Sequence, residues 1–393
     1  MKLTSHQPRL FCTILLLMFG GLFLTDRLSP LVLPSQVFFF RGWEYVSGAG
    51  RYNIPRTHIT FHSREYGDLG NMLGVSSFKD WRENDYTMDG AGYRNALGHR
   101  DLRARVFVAG DSFFAGAGNS DEDTVAFALG KALGASVTPY VPGDLSRLLS
   151  TGRLAQQSAP HLLVWGRVER NLTADDPEIM HLLADSMCFV PTASQRRITE
   201  IKDRVKFLIG GVVEYTRLSL LRHLGEQMFL EARFRMTGET PPNVVLSTDG
   251  SRILFYAKDV RLLRQGADER GLSAVADAIA HTADCLARRN IRLLFVSIPD
   301  KSHVEFPHVP ASSRPQDPLS PNPLTELRAL LSSRGVENVE LSTAFREYAR
   351  THDDFLYWKD DTHWNGSGVR LAVKQMAPAV LRLLRTLPPR KGI

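Results

Sequence analysis

From about residue 103 onward, short β-branched runs alternate with segments of helical periodicity. This alternation is typical of an α/β sheet protein. The predicted strands are residues 105–109, 135–141, 162–165, 291–298 and 336–341. The predicted helices are residues 124–133, 145–155, 272–289, 324–333 and 367–386. We therefore expect one α/β domain over residues 101–393.

Three parts of the chain depart from this rhythm. Residues 175–265 carry longer helical and charged segments, which we interpret as an inserted cap or side element. Residues 307–323 contain six prolines, too many for a helix or a central strand, and are predicted to form a loop. Residues 31–100 hold only weak strand-like pieces and are interpreted as an N-terminal extension that packs on the α/β domain, with Arg94 and Arg100 as hydrogen-bonding braces.

The N-terminus resembles an export signal. Residues 10–24 are apolar and free of charge, and the run lies between the basic Lys2 and Arg9 and the charged pair Asp26 and Arg27. As a helix this run would be about 22 Å long, which suits a signal peptide as well as an anchor. Because no A-x-A-like cleavage site follows, we favour an uncleaved anchor over residues 1–30. A removed signal peptide and a buried core helix are the alternatives.

Composition and charge exclude several classes of protein. With 393 residues, 43% hydrophobic and 23% charged, the chain is an ordinary globular protein. Its net charge of +6 is scattered and not striped, so no nucleic-acid partner is expected. The three cysteines show no zinc-binding spacing. Cys188 and Cys285 are the pair that an oxidising compartment would allow to form a disulfide, and the sequence leaves this open.

Two motifs carry the candidate chemistry. Gly110-Asp111-Ser112 follows a predicted strand, where a serine is exposed at the top of the sheet and its own N–H can stabilise an oxyanion. Near the other end of the domain, His363 follows Asp360 and Asp361, and a carboxylate at that spacing can orient an imidazole that deprotonates the serine. The alternatives are an Asx-type turn at the serine, and a metal site of His363 with both carboxylates and His352.

These motifs resemble the SGNH/GDSL hydrolase superfamily, in which a serine block opens the domain and an Asp/His block closes it. Three further stretches resemble the AlgJ/AlgX-like polysaccharide O-acetyltransferases: residues 165–170, 298–302 and 361–365. The resemblance covers about residues 90 to 385. It implies a flavodoxin-like three-layer α/β/α fold and acetyl transfer to an exported polysaccharide outside the inner membrane. It also implies a membrane-bound acyltransferase partner that delivers acetyl groups.

The resemblance assigns roles to single residues. Ser112 would be the nucleophile and His363 the general base and acid. Asp361 would orient His363 according to the Asp-Thr-His form of the subfamily, whereas the broader Asp-x-x-His pattern selects Asp360. Gly143, in a stretch that resembles the second superfamily block, would join the Ser112 amide in the oxyanion hole. No asparagine occupies the position of the third block, so a third oxyanion donor is not identified.

Five further residues are candidate substrate contacts, and four of them have a structural alternative. Glu169 and Arg170 follow a strand end, where doubly wound folds bind ligands, or they pair with each other. Lys301 contacts an acidic polymer, or it is a solvated lysine beside Asp300. Trp364 stacks on a sugar ring or packs beneath the histidine. The set is Glu169, Arg170, Lys301, Trp364 and Asn365. No metal and no cofactor is expected.

The sequence thus predicts a single-pass inner-membrane protein with its catalytic domain in the periplasm. The leading function is O-acetylation of an exported polysaccharide through an acetyl-enzyme. The alternatives are a carbohydrate acetylesterase with the same residues and a catalytically silent polysaccharide-binding or scaffold subunit. Transferase and esterase differ in the acceptor and in the exclusion of water, which a sequence does not display.

Overall fold

A computed structural model describes residues 7–33, 41–47, 56–99, 103–141, 145–150, 161–182, 218–265, 267–314 and 322–388, with a few single positions between these ranges. Strands β1 to β9 are Ile59–Glu65, Arg82–Met88, Val106–Gly110, Val137–Pro139, His161–Val168, Val244–Leu246, Leu254–Tyr256, Ile291–Ile298 and Asn338–Glu340. Helices α1 to α7 are Gln7–Val32, Gly42–Ser47, Asp68–Leu73, Val125–Leu133, Leu145–Ser150, Pro177–Leu182 and Leu220–Thr237. Helices α8 to α14 are Ala257–Leu262, Ala267–Arg270, Leu272–Ala287, Lys301–Val304, Pro323–Ser333, Ser342–Thr351 and Gly366–Thr386.

The central sheet is parallel, with the strand order β4-β3-β5-β8-β9. Numbered within the sheet, this is the order 2-1-3-4-5 of flavodoxin-like folds. Val106 of β3 lies opposite Leu162 of β5, and His161 of β5 lies opposite Ile291 of β8. The predicted α/β class and its flavodoxin-like topology are confirmed.

Helices cover both faces of this sheet. On one face, α4 and α14 pack over side chains such as Val106, Val108 and Val164. On the other face, α10 and α12 pack over Phe107 and Phe295. Because both faces are buried, β3 and residues 162–165 of β5 are continuous runs of apolar residues instead of alternating ones. The sheet and its two helical layers form the three-layer core that presents the strand ends.

The elements observed match the predicted ones with shifts at their ends. The strands predicted at 135–141 and 336–341 are shorter, at Val137–Pro139 and Asn338–Glu340. The helix predicted at 145–155 is present as α5, and residues 151–155 lie outside the described part of the chain. The proline-rich loop has short 3₁₀ turns at Phe306–His308 and Ala311–Ser313.

Residues before the central sheet form an antiparallel hairpin, β1 with β2, that packs on the same core as β3. Phe61 of β1 and Tyr86 and Met88 of β2 belong to the hydrophobic cluster that contains Val106. Glu65 is buried there and accepts hydrogen bonds from Asn84 Nδ2 (2.7 Å) and the Gly42 amide (2.6 Å). The hairpin therefore lies against the sheet with its polar groups satisfied.

The segment interpreted as a cap or side element contains α6, α7, α8 and the β6–β7 hairpin in its described part. The hairpin packs on α3, since Val244 and Leu254 form one cluster with Leu69 and Leu73. Cys285 in α10 is disulfide-bonded and Cys12 is a free thiol. Cys188, the third cysteine, lies outside the described residues.

Helix α1 is longer than the charge-free run that suggested it. It does not end at Asp26 but continues to Val32, and the exposed Leu28, Leu31 and Val32 extend its apolar surface. The stretch Leu10–Val32 is long and apolar enough to cross a membrane, at about 34 Å as a helix. Nearly all of its residues are exposed, which is contrary to the alternative of a buried core helix.

Candidate active site

Ser112 lies on the turn that follows β3, at the carboxyl edge of the parallel sheet. The Asp111 side chain holds this turn, because its two oxygens accept hydrogen bonds from the Phe113 amide (3.0 Å) and from the Val168 amide at the end of β5 (2.8 Å). Asp111 is thus a cap between neighbouring strand ends. Ser112 stands between β3 and β5, at the place where ligands bind in flavodoxin-like folds.

Two glycines allow the turn to approach the sheet. A Cβ on Gly166 would lie 1.9 Å from Phe114 Cε2, and a Cβ on Gly110 would lie 2.6 Å from the Gly166 carbonyl oxygen. The ring of Phe114 occupies the space that side chains would take at both positions. The close packing fixes the turn on which Ser112 is carried.

His363 comes from a second tight loop, near the C-terminal end of the domain. Tyr357 and Trp364 form an antiparallel bridge, and the Trp358 amide donates to the His363 carbonyl (3.2 Å). The indole of Trp358 also donates to Asn119 Oδ1 (3.1 Å), and Asn119 Nδ2 donates to the Trp364 carbonyl (3.0 Å). These contacts join the loop of His363 to the loop of Ser112.

Ser112, His363 and Asp361 form a hydrogen-bonded chain. His363 Nε2 lies 2.7 Å from Ser112 Oγ, and His363 Nδ1 lies 2.6 Å from Asp361 Oδ1. A carboxylate only accepts hydrogen bonds, so the ring proton of neutral His363 is on Nδ1 and Nε2 can accept the serine hydroxyl proton. Asp361 and His363 are buried, whereas Ser112 is partly exposed. A nucleophile reachable from solvent thus stands over a buried base.

The two neighbouring aspartates have different partners. Asp360 accepts hydrogen bonds from the amides of Gly67 (2.7 Å) and Asp80 (2.9 Å) and from Arg82 (3.0 Å). Its side chain therefore fastens the His363 loop to the N-terminal extension. Among the two carboxylates, Asp361 is the one that contacts the imidazole.

Two arginines of the N-terminal extension neutralise Asp361. Arg82 Nη2 lies 3.0 Å and Arg41 Nη1 lies 3.6 Å from Asp361 Oδ2. Burial by itself would raise the pKa of Asp361, but the facing His363 and then the two guanidiniums hold it well below its usual range. Burial raises the pKa of Asp360, against the effect of Arg82. The carboxylate at the imidazole is thus kept ionised.

Asp68 completes the buried polar cluster. Its oxygens accept hydrogen bonds from the Thr362 amide (2.8 Å) and the Thr362 hydroxyl (2.7 Å). Ligand atoms of Asp68, Asp361 and His363 lie within 4.8 Å of one another, as in a metal site. The two guanidiniums at Asp361 would repel a cation, and both ring nitrogens of His363 already have partners. The cluster therefore fits a proton-transfer site better than a metal site.

Lys301 lies beneath the His363 loop and not at the surface. Its ammonium donates to the carbonyls of Trp358 (2.6 Å), Lys359 (2.9 Å) and Asp361 (3.1 Å), which uses its three protons. Burial lowers the pKa of Lys301 to about 8. This position differs from the expected contact with an acidic polymer, and also from the alternative of a solvated lysine. Lys301 supports the loop from within.

Glu169 and Arg170 are likewise in the interior, and they do not pair with each other. Glu169 accepts hydrogen bonds from Arg270 (2.9 Å) and the Asp300 amide (3.1 Å), and it lies 2.9 Å from His303 Nδ1. Arg170 donates to Asp300 (2.6 Å) and Asp259 (3.3 Å). The expected substrate contacts thus belong to a buried ionic network behind the turn of Ser112.

Trp364 and Asn365 also have structural partners in place of a sugar. Trp364 is fully buried, and its indole donates to the Phe113 carbonyl (3.2 Å). Asn365 caps α14, since its Oδ1 accepts from the amides of Ser367 (2.9 Å) and Gly368 (3.1 Å). Of the two interpretations of Trp364, the structure supports packing beneath the histidine.

Two oxyanion donors were expected. The Ser112 amide has no hydrogen-bond acceptor among the described residues, and it is therefore available to an oxyanion. Gly143 lies outside the described residues, as does Arg100. His352, offered as a metal ligand with His363, stacks on Tyr348 at the end of α13 and takes no part in the cluster.

Sequence reasoning missed the contribution of the N-terminal extension to the site. Arg41, Asp68 and Arg82 were not singled out, although they surround the aspartates of the motif. Arg94 was expected to brace the extension, and it donates to the carbonyls of Ala115 (3.1 Å) and others in the Ser112 loop. No local signal marks these residues, because their partners are far away along the chain.

Comparison with known proteins finds a family model that matches the C-terminal part of the chain. Residues 251–391 match the family model described as the SGNH hydrolase-like domain of acetyltransferase AlgX. The match covers 141 of the 393 residues, which is less than half of the chain. The resemblance to the AlgX family is thereby confirmed over the part of the chain that contains Asp361 and His363.

Two solved structures are also similar. A carbohydrate acetylesterase family member from Sinorhizobium meliloti has 13% identity and a TM-score of 0.33, with 72% of this chain and 99% of that chain covered. A second solved chain has 16% identity and a TM-score of 0.32, with 72% and 98% covered. No curated protein matches the sequence.

Proposed function

We propose that this protein is an O-acetyltransferase that acts on an exported polysaccharide through an acetyl-enzyme on Ser112. The observation that carries the proposal is the chain from Ser112 Oγ through His363 to Asp361, with distances of 2.7 and 2.6 Å. The match of residues 251–391 to an acetyltransferase family supports acetyl as the transferred group. A silent binding subunit would not require this geometry.

The reaction begins when Ser112 Oγ attacks the carbonyl carbon of an acetyl donor and His363 Nε2 takes the hydroxyl proton. The Ser112 amide donates to the developing oxyanion. When the tetrahedral intermediate collapses, His363 gives that proton to the leaving group, and acetyl-Ser112 remains. Asp361 accepts the hydrogen bond from His363 Nδ1–H, and it stabilises the imidazolium that exists between the two proton transfers.

Deacetylation repeats these steps with a sugar hydroxyl. The hydroxyl oxygen attacks the ester carbon, and His363 takes its proton. Ser112 Oγ then leaves and recovers a proton from His363, which yields the acetylated sugar and the starting enzyme. Water in place of the sugar gives acetate, so the acceptor at this step separates a transferase from an esterase.

We further propose that the acetyl donor is supplied by a membrane-bound acyltransferase and that the domain lies in the periplasm. Helix α1 supports this location, because Leu10–Val32 is long enough to anchor the chain and basic residues precede it. The disulfide at Cys285 also supports an oxidising compartment. The inner membrane is thus the proposed site of a single-pass anchor.

The test is acetyl release from a chromogenic acetyl ester by the full chain in detergent, with Ser112→Ala and His363→Ala. We expect both variants to lose at least about 10³-fold in kcat/KM. His352→Ala, an exposed histidine, is the matched control and should retain activity. If folded Ser112→Ala and His363→Ala turn over like the wild type, the acetyl-enzyme proposal is wrong.

A second assay separates the two enzymatic outcomes. The ester is supplied with neutral and with uronic-acid oligosaccharides, and the products are analysed by mass spectrometry. A transferase yields oligosaccharides that have gained an acetyl group, in a Ser112-dependent reaction. Ser112-dependent acetate with every acceptor unchanged would identify an acetylesterase instead.

A further inference from the structure

Helix α7 carries apolar side chains on the face that points away from the protein. Leu221, Leu224, Met228, Phe229 and Met236 are 48–80% exposed. At about 100° per residue, they share one side of the helix. Single exposed apolar residues are common on protein surfaces, but several large ones on one side of a helix indicate a binding surface.

The opposite face of α7 holds the helix on the domain. Phe234 packs edge-on against Phe78, with 5.6 Å between ring centroids, and Leu230 lies directly over Gly74. Gln227 donates to the Asn71 carbonyl (3.2 Å) and accepts from Lys79 (2.9 Å). The inner face of α7 therefore makes the contacts that hold the helix on the domain. The stripe on its outer face takes no part in these contacts.

Charged residues on α7 are paired along the helix. At about 100° per residue, Arg222 and Glu231 border the stripe, whereas Arg235 lies within it, between the directions of Leu224 and Met228. Arg222 lies 2.8 Å from Glu226, and Arg235 lies 2.7 Å from Glu231. An apolar face with charged borders is typical of a helix that lies in the interface of a membrane.

The N-terminal end of α7 is joined to the candidate membrane span. Asp26 Oδ1 accepts a hydrogen bond from the Leu221 amide (2.9 Å), and the Asp26 side chain is buried in this contact. A carboxylate within an apolar span is costly unless it is paired, and a helix N-terminus supplies a suitable partner. Asp26 lies six residues before the end of the Leu10–Val32 stretch, which is about 9 Å along the helix from its outer end. With α1 across the bilayer, helix α7 would therefore start within the outer leaflet.

We propose that α7 is a second membrane contact, which inserts its outer stripe into the outer leaflet of the bilayer that α1 crosses. The inference rests on the membrane anchor of the proposed function. Two points of attachment would fix the orientation of the domain on the membrane, whereas a single helix would let it turn. The exposed stripe would then lie among lipid chains and headgroups, at a depth of about 5–10 Å.

The test measures the depth of single nitroxide labels in the full chain, in a Cys12→Ser background. The protein is reconstituted at low protein-to-lipid ratio in phosphatidylethanolamine and phosphatidylglycerol vesicles, so that copies do not meet. Labels are placed by Met228→Cys in the stripe, by Glu226→Cys two residues away on another face, and by Leu17→Cys in α1. The same protein without an added cysteine reports background labelling. Collisions with oxygen and with a water-soluble nickel complex distinguish lipid from water.

We expect the labels at positions 17 and 228 to collide preferentially with oxygen and the label at 226 to collide with nickel. The oxygen-to-nickel ratio at 228 should exceed that at 226 several-fold. If the label at 17 is in lipid while the label at 228 collides with nickel as often as the label at 226, α7 is not a membrane contact. The membrane anchor by α1 would still hold. The stripe would then be a surface for a protein. If the label at 17 is also in water, the anchor and this inference both fail.

Discussion

Asp361 and His363 are joined by two hydrogen bonds, one from the imidazole Nδ1 (2.6 Å) and one from the backbone amide of His363 (3.1 Å), both to Asp361 Oδ1. One oxygen thus fixes the ring and the backbone that carries it. The other oxygen faces Arg82 and Arg41. The carboxylate therefore orients the imidazole while the arginines keep it ionised.

The two aspartates of the motif should be separable by mutation. We expect Asp361→Asn to lower kcat by about 10³–10⁴-fold, because an amide disfavours the imidazolium and the required tautomer. Asp360→Asn should stay within about tenfold of the wild type in kcat, while it loses about 1–3 kcal/mol of folding stability. Ester hydrolysis measures kcat of both variants, and denaturant unfolding measures their folding stability. Equal losses of kcat in two folded variants would contradict the assignment.

Arg82 is expected to act as a positioning residue. Arg82→Met removes a cation that bonds to both aspartates, so the pKa of Asp361 should rise and kcat/KM should fall about 10–100-fold. The loss of the cation also favours the imidazolium. The acid limb of the pH profile of kcat/KM should therefore move to higher pH. Arg64→Met, which changes an exposed arginine over the Trp81 ring, is the control. An unmoved limb in folded Arg82→Met would show a structural role alone.

The buried network behind Ser112 should make stability depend on pH. Burial raises the pKa of Asp300 to about 6, although Arg170 opposes this. The folded state then binds the proton more tightly than the unfolded state, whose carboxyl has its ordinary pKa near 4. The free energy of unfolding should therefore fall as pH rises from about 4 to about 6, by about 1–3 kcal/mol from this group.

Asp300→Asn removes this titration. The difference in unfolding free energy between wild type and Asp300→Asn, measured by denaturant unfolding between pH 4 and 7, should change in favour of the variant as pH rises. A difference that is flat across this range would show that Asp300 titrates normally in the folded protein.

Gly166 should not tolerate a side chain. Its Cβ would overlap the Phe114 ring, so Gly166→Ala should cost about 1–3 kcal/mol or more and displace the turn of Ser112. Gly225→Ala is the matched control, because a Cβ there meets nothing within 4 Å and Gly225 lies inside α7. The control should be neutral or stabilising by up to about 1 kcal/mol. Thermal unfolding of both variants measures their stability relative to the wild type. A Gly166→Ala protein as stable as the wild type would refute the packing argument.

The sequence by itself determined the α/β class, most elements of the central sheet and the two motifs that carry Ser112 and His363. These follow from local patterns, because a buried parallel strand is a run of apolar residues and an amphipathic helix repeats about every 3.6 residues. The ends of short strands were less well predicted, since pairing with neighbours decides where they stop. The anchor predicted over residues 1–30 ends within two residues of α1, which runs past the charge-free stretch because a charged pair inside a helix does not end it.

Only the tertiary structure decided which side chains surround the motifs. Arg82 bonds to Asp360 from 278 residues away, and no pattern along the chain records that contact. Lys301, Arg170 and Glu169 looked like surface or ligand residues because charged side chains are usually exposed, yet each is buried with partners from other elements. Their placement depends on which loops the sheet brings to its carboxyl edge, and that is a property of the whole fold.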